Sequence, residues 1–205
     1  MRELYFGGSF NPIHLGHLRA SAAVARAEGF LRVVLVPAAV SPHKLMDADY
    51  APAEHRLAMC QLAANSADAD GPFAVDDLEL RRPFPSYTID TVRALRARSP
   101  GDPVYWLIGA DQVAKLPFWY ESNQLVREAQ LLIMARPGFE FDFEGLPEPF
   151  RSLKNSVVEA PLIDVSATEI RRRVRLGLSI DKLVPAEVAD YIAANGLYRG
   201  TNLPE

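Results

Sequence analysis

The chain has 205 residues, 49% of them hydrophobic and 23% charged, with a formal net charge of −4. That length suits one domain with a full core, no apolar run reaches membrane-spanning length, and the charge creates no global cationic field to capture nucleic acid. The lone cysteine, Cys60, cannot form an intramolecular disulfide, and the N-terminus lacks the charged-then-apolar layout of a secretion signal, so a cytoplasmic protein without a membrane partner is expected.

An apolar opening, Leu4-Tyr5-Phe6, predicts a first strand. It runs into Gly7-Gly8-Ser9-Phe10-Asn11-Pro12-Ile13-His14-Leu15-Gly16-His17, and an alanine-rich helix follows from near Leu15 to Ala27, stopped by Gly29. Gly7 and Gly8 can take φ > 0 and carry no Cβ to obstruct a ligand. Asn11 suits the N-cap and Pro12 the first helical position. His14 and His17 then share one face of the first turn, with Gly16 leaving that face open. A strand that turns through glycines into a helix brings backbone N–H groups to a phosphate. Two imidazoles beside it can donate to the anion, and protonated they add charge.

Leu31 to Val36 is a nearly continuous apolar run, as in a strand buried on both faces. Its loop carries Ser41-Pro42-His43-Lys44, and Ala53 to Ala64 reads as a second helix with Cys60 inside it as a buried, inert thiol. Val75 to Leu80 reads as a strand. Ser86-Tyr87-Thr88 opens a helix to about Arg98, Val104 to Ile108 is a strand ending in Gly109-Ala110-Asp111, and a short helix leads to Phe118-Trp119-Tyr120. A helix from about Asn123 to Glu128 and a strand from Leu131 to Met134 follow. Phe139 to Asn155 has no clear period and reads as a surface excursion. Val157-Val158 begins a last strand, and Ser166 to Leu176 and Pro185 to Ala194 are the final helices.

Strands alternating with helices imply an α/β fold with a parallel sheet wrapped on both sides. Ligands of such sheets sit beyond the carboxyl ends of the strands. Gly7 to His17, His43-Lys44, Gly109 to Asp111 and Arg136 all follow predicted strands, so one crevice can gather them. Each also has an ordinary structural reading. Ser166 or Thr168 can cap a helix, Asp111 can be an N-cap, Trp119 and Tyr120 can be core aromatics, and Arg171 a surface charge.

The stretch from Gly7 to His17 resembles the H-x-G-H signature of the nucleotidyltransferase superfamily. Its fuller form, GGSFNPIHLGH, is similar to bacterial nicotinate-nucleotide adenylyltransferases. Pro37 to Lys44 resembles that family's P-x(4)-P-H-K segment, Arg56 an arginine of the helix after it, and Ser166, Thr168 and Arg171 match its S-x-T-x-x-R motif. The resemblance runs from Tyr5 to Tyr198. It departs at Ser9 and Asn11, where common family versions carry Thr and Asp.

The resemblance implies a Rossmann-like, doubly wound parallel sheet in a single domain, with a C-terminal helical segment over about 166–200. It implies adenylyl transfer from ATP to nicotinate mononucleotide, releasing pyrophosphate, in NAD synthesis. His14, His17, Lys44 and Arg171 would be catalytic. Gly7, Gly8, Ser9, Phe10, His17, Gly109, Asp111, Ser166, Thr168 and Arg171 would hold ATP. His14, Lys44, Thr88, Trp119 and Tyr120 would hold the pyridine nucleotide, Trp119 stacking on its ring. Mg²⁺ would be carried by substrate phosphates and water rather than by protein ligands. No nucleic-acid partner is expected, and the sequence leaves homo-oligomer formation open. Related phosphopantetheine and glycerol-3-phosphate nucleotidyltransferases share the front signature but give no reason for Ser86 to Thr88 together with Trp119-Tyr120. A zinc hydrolase using His14, His17 and His43 lacks an acidic ligand at suitable spacing.

Overall fold

A computed structural model describes residues 2–39, 50–82, 85–138 and 140–200. Six parallel strands, β1 (Glu3–Gly8), β2 (Arg32–Pro37), β3 (Phe73–Val75), β4 (Tyr105–Gly109), β5 (Gln130–Ala135) and β6 (Val157–Glu159), lie in the order β3-β2-β1-β4-β5-β6. The chain winds outward from β1 to one edge and then from β4 to the other. The order reverses between β1 and β4, and a crevice opens there at the carboxyl ends.

Helices cover both faces, because neighbouring strand residues bury to opposite sides. Leu107 enters one core with Leu18 of α1 (Leu15–Ala27), Met59 of α2 (Ala53–Asn65), Ile170 of α5 (Ala167–Arg175) and Ile192 of α6 (Ala186–Ala194). Trp106 and Ile108 enter the other with Val92 of α3 (Thr88–Arg98) and Leu125 of α4 (Ser122–Glu128). The C-terminal helices therefore share the core of β1. The Leu15 amide donates to the Leu183 carbonyl at 2.9 Å, which ties them to the start of α1.

Three sequence expectations change. The third strand is Phe73–Val75, not Val75 to Leu80: the Asp76 amide still donates to Leu35 of β2, but Asp76 Oδ1 then accepts from the Leu78 amide and the chain turns. Phe139 to Asn155 is not merely a surface excursion: Phe143, Phe150 and Leu153 are buried in the second core. Asn11 and Pro12 do not start α1. They are joined by a cis peptide, and His14 is the N-cap, its side chain accepting from the His17 amide. Cys60 is fully buried and burial pushes its thiol up, away from thiolate chemistry.

The turn after β3 buries Glu79, whose Oε1 accepts from Thr91 Oγ1 at 2.7 Å while Arg82 donates to the same hydroxyl. Burial pushes the Glu79 carboxyl from 4.5 up to about 7, against the hydrogen bond from Thr91 and the charge of Arg82. The folded state then holds a proton that the unfolded state has released. The associated stability is complete below pH 4.5 and is lost as pH rises to about 7, an effect of about 3 kcal/mol. Glu79→Gln should melt with the wild type at pH 4.5 and about 5–10 °C above it at pH 8. Equal melting midpoints at both pH values would refute that cost of ionisation.

Candidate functional site

At the end of β1 and just beyond it, three backbone carbonyls accept from protein donors. The Gly8 carbonyl accepts from Ala38 N–H at 2.9 Å, the Ser9 carbonyl from Arg56 Nη1 at 2.8 Å, and the Asn11 carbonyl from Arg171 Nη1 at 2.9 Å. Among the described residues the Ser9 and Phe10 amides engage no protein acceptor. Two successive N–H groups without an acceptor among the described residues, beside a strand end, are available to an oxyanion.

Gly7 and Gly8 serve this loop differently from the sequence expectation. Neither takes a positive φ; the left-handed residue is Phe10, at φ 44°. A Cβ on Gly7 would collide with the Trp106 ring of β4, and one on Gly8 would come within 2.9 Å of the Phe10 ring. The missing side chains thus admit two aromatic rings. Left-handed backbone at Phe10 costs roughly 1–2 kcal/mol, whereas burying its ring contributes about 1.5–3 kcal/mol. Burial wins, and Phe10 is 2% exposed. Its ring meets His17 edge-on, with centroids 5.3 Å apart.

His14 and His17 stack at 3.6 Å between centroids and 22° between planes. Gly16 allows this, since its Cβ would lie 3.0 Å from His14 Nδ1. The glycine therefore accommodates the His14 ring itself. The His17 amide donates to His14 Nδ1 at 3.3 Å, which assigns the His14 proton to Nε2 and leaves that nitrogen a donor. Burial lowers His14 to about 4, and burial with the neighbouring ring holds His17 well below its ordinary value. Both imidazoles are neutral at physiological pH, so they supply oriented donors rather than the added charge that protonation would bring.

The second motif docks on the first. Ser166 caps α5, its Oγ accepting from the Glu169 amide at 3.2 Å, and the Ala167 and Thr168 amides engage no acceptor among the described residues. The carbonyl of Val165 lies 3.4 Å from the position of a Gly16 Cβ, so the starts of α5 and α1 adjoin. Arg171 reaches Asn11 across 160 residues of sequence, with its Nε buried and without a partner among the described residues. Arg172 and Arg173 instead bind Glu169 on the exposed side at 2.7 and 2.9 Å and hold its carboxyl down at about 2. One arginine of the run faces the loop; the next two neutralise a carboxylate.

At the end of β4, Gly109 occupies the N-cap position of a 3-10 helix, Ala110–Phe118, and Asp111 lies in its first turn rather than at the cap. The Asp111 carboxylate folds back over Gly109 so closely that a Cβ there would sit 2.5 Å from its Oδ1. Thr88 begins α3, and Tyr87 just before it stacks on Tyr120 at 4.3 Å and 26°. Trp119 packs partly into the second core, while Tyr120 is 52% exposed. Arg93 Nη2 donates to Glu121 Oε2 at 2.6 Å, tying this corner to α3. Thr88, Trp119 and Tyr120 thus form a second group, on the α3/α4 side of the sheet. Lys44 and His43 lie outside the described residues.

Two residues matter more than sequence reasoning assigned. Arg56 is fully buried, donating to Ser9, Ala38, Ala39 and Ala51 carbonyls. Its signal was legible: it shares the 3.6-residue buried face of α2 with Met59, Cys60 and Ala63. Tyr198 donates to Asn11 Oδ1 at 2.9 Å, and the Ala51 amide donates to the same oxygen. No local pattern announces a bond across 187 residues.

The cytidylyltransferase-like family model matches residues 5–173. A protein of Roseiflexus sp. (strain RS-1), described as a "probable nicotinate-nucleotide adenylyltransferase", is 40% identical over 196 residues, 94% of this chain and 96% of its own. A Thermus thermophilus protein of the same description is 42% identical over 201 residues, 97% of this chain and 100% of its own. The solved structure of Plasmodium falciparum nicotinic acid mononucleotide adenylyltransferase complexed with NaAD has the same fold, with a TM-score of 0.74 at 20% identity over 97% of this chain and 98% of its own.

Proposed function

Because the chain belongs to the cytidylyltransferase-like family, and within it to the nicotinate-nucleotide adenylyltransferases, we propose that the β1/β4 crevice joins ATP to nicotinate mononucleotide. The products are nicotinate adenine dinucleotide and pyrophosphate. The observation that carries this reading is the bond from Arg171 to the Asn11 carbonyl, which brings the start of α5 against the β1 loop, each with unengaged amides among the described residues, beside the point where strand order reverses.

A phosphate oxygen of the mononucleotide attacks the α-phosphorus of ATP; a P–O bond forms as the bond to the β-phosphate oxygen breaks. That nucleophile is already anionic at neutral pH, so no protein base is required. The barrier lies in bringing anions together and in charge growing on the α-phosphate and the leaving pyrophosphate. Ser9 and Phe10 amides, His14 Nε2–H, His17, the start of α5 and Arg171 supply donors fixed before the charge develops. Arg171 and the two helix dipoles supply the positive field, since the histidines are neutral. Lys44 adds a charge toward a phosphate. Asp111 accepts ribose hydroxyls, while Trp119 stacks on the pyridine ring with Thr88 and the Tyr120 backbone at its carboxylate.

No group of three or more His, Cys, Asp or Glu side chains among the described residues forms a metal cage. Asp111 and the hydroxyls of Ser9, Ser166 and Thr168 are oxygen donors of the candidate site, and Mg²⁺ would arrive on the triphosphate with its water. When bound with the triphosphate, such an ion would supply positive charge to its phosphates. No helix among the described residues is long and apolar enough to cross a membrane.

Mixing the protein with ATP, Mg²⁺ and nicotinate mononucleotide should release pyrophosphate, and nicotinamide mononucleotide should serve as the comparison substrate. Trp119→Ala should raise KM for the mononucleotide by about tenfold, the 1–1.5 kcal/mol of a lost aromatic stack, and leave KM for ATP nearly unchanged. No pyrophosphate with either mononucleotide would overturn the adenylyl-transfer reading. Equal losses for both substrates would remove Trp119 from the pyridine site.

A further inference from the structure

We infer that Arg56 is a positioning residue that sets the direction of the phosphate-facing amides of Ser9 and Phe10, without itself touching substrate. This rests on the adenylyl-transfer reading only in naming the anion as a polyphosphate.

The guanidinium lies where three chain segments converge. Nη1 donates to the carbonyls of Ser9 at 2.8 Å and Ala38 at 2.6 Å, Nη2 to Ala39 at 2.6 Å, and Nε to Ala51 at 3.0 Å. Tyr50 covers its face, with the guanidinium carbon 4.6 Å from the ring centroid. Among the described residues no carboxylate pairs with it within salt-bridge distance. An arginine buried completely and bonded, among the described residues, to backbone oxygens alone is costly. Simple packing would be served as well by Leu or Met, as at Met59 one turn along the same buried face.

Peptide geometry gives the return on that cost. The Ser9–Phe10 and Gly8–Ser9 peptides are trans, since the cis bonds of the described chain are Asn11–Pro12 and Glu148–Pro149. In a trans peptide the carbonyl and the following N–H point in opposite directions. With the Ser9 carbonyl fixed on Arg56, the Phe10 N–H is directed away from α2. With the Gly8 carbonyl fixed on the Ala38 amide of the β2 end, the Ser9 N–H is directed away from β2, which is the β4 side where the crevice opens. Neither amide has another acceptor among the described residues. A lysine in place of Arg56 would keep the charge but could not span four carbonyls from a single planar fork. The peptide planes would then be free to rotate, and the anion would have to order them on binding.

The test is a titration of ¹⁵N-labelled protein with inorganic triphosphate, followed by NMR, alongside calorimetry of Arg56→Lys. In the wild type the Ser9 and Phe10 amides should shift on binding while the Arg56 guanidinium protons remain protected and unmoved. Arg56→Lys, checked for folding by near-UV circular dichroism, should bind triphosphate about tenfold more weakly. A folded Arg56→Lys that binds triphosphate within twofold of wild type would reduce Arg56 to a structural residue and overturn the inference. Should that variant not fold, the wild-type titration decides alone: shifting guanidinium protons with stationary Ser9 and Phe10 amides would make Arg56 a ligand contact and equally overturn it. Triphosphate binding that behaves as expected without any pyrophosphate release from ATP and nicotinate mononucleotide would support Arg56 while defeating the adenylyl-transfer reading.

Discussion

His17→Ala should lower kcat by about 10²–10³, the loss of about 2.7–4 kcal/mol that follows removal of one transition-state donor, with KM for ATP changed far less. The ring is held by Phe10, Phe6 and the stacked His14, so its position is decided before substrate arrives. Because burial keeps both imidazoles neutral, kcat should be level from pH 6 to 8, with no step near 6.5 from either histidine. The partner residue requires a different control. His14→Ala removes an N-cap as well as a donor, a stability loss of about 1 kcal/mol, because His14 Nδ1 accepts from the His17 amide. His14→Asn retains a capping oxygen and removes the imidazole, so it should melt near the wild type yet lose a comparable factor in kcat. Steady-state rates with saturating substrates measure this directly. Near-normal turnover in both His17→Ala and His14→Asn would take the histidines out of the chemistry. A kcat rising as pH falls through 6.5 would contradict their neutrality.

Much of this site was legible because its motifs are local. The alternation of apolar runs with helical segments gave the doubly wound sheet, and the 3.6-residue repeat put His14 and His17 on one face of one turn. What failed was inference from a residue's usual habit. Gly7 and Gly8 suggested a left-handed turn, but they are small so that Trp106 and Phe10 can pack against the backbone, and the left-handed residue is a phenylalanine. Asn11 suggested a cap for α1 and instead accepts from Ala51 and Tyr198, partners 40 and 187 residues away. Such bonds depend on which loops the sheet order brings together, and no local pattern encodes that. The bounds of β3 failed for a related reason: Val75 to Leu80 mixes apolar and acidic residues, yet Asp76 accepts from the Leu78 amide in a turn and pairs with Arg98, and the strand stops.

Arg171→Ala should reduce kcat/KM for ATP by about 10², with Arg171→Lys restoring part of it and Arg172→Ala remaining within twofold of wild type. Both sites lie in one arginine run, so composition does not separate them; the direction of each side chain does. Arg172 is spent on Glu169 at the surface, where an exposed ion pair is worth little. Arg171 turns the other way, half-buried against the β1 loop, with Nη1 on the Asn11 carbonyl and a buried Nε without a partner among the described residues. A guanidinium held by one bond among the described residues and retaining donors can meet a phosphate in a fixed orientation, which the lysine ammonium reproduces only as a point charge. Loss of Arg171 also frees the start of α5 from the Asn11 loop, so the amides of Ala167 and Thr168 lose their register with those of Ser9 and Phe10. The measurement is kcat/KM for ATP at saturating mononucleotide, repeated from low to high salt. Arg171→Ala should show a shallower salt dependence than wild type, since one charge attracting the triphosphate is gone. Equal losses in Arg171→Ala and Arg172→Ala would mean that the run acts only as a diffuse field and that the docking of α5 on the β1 loop carries no chemistry.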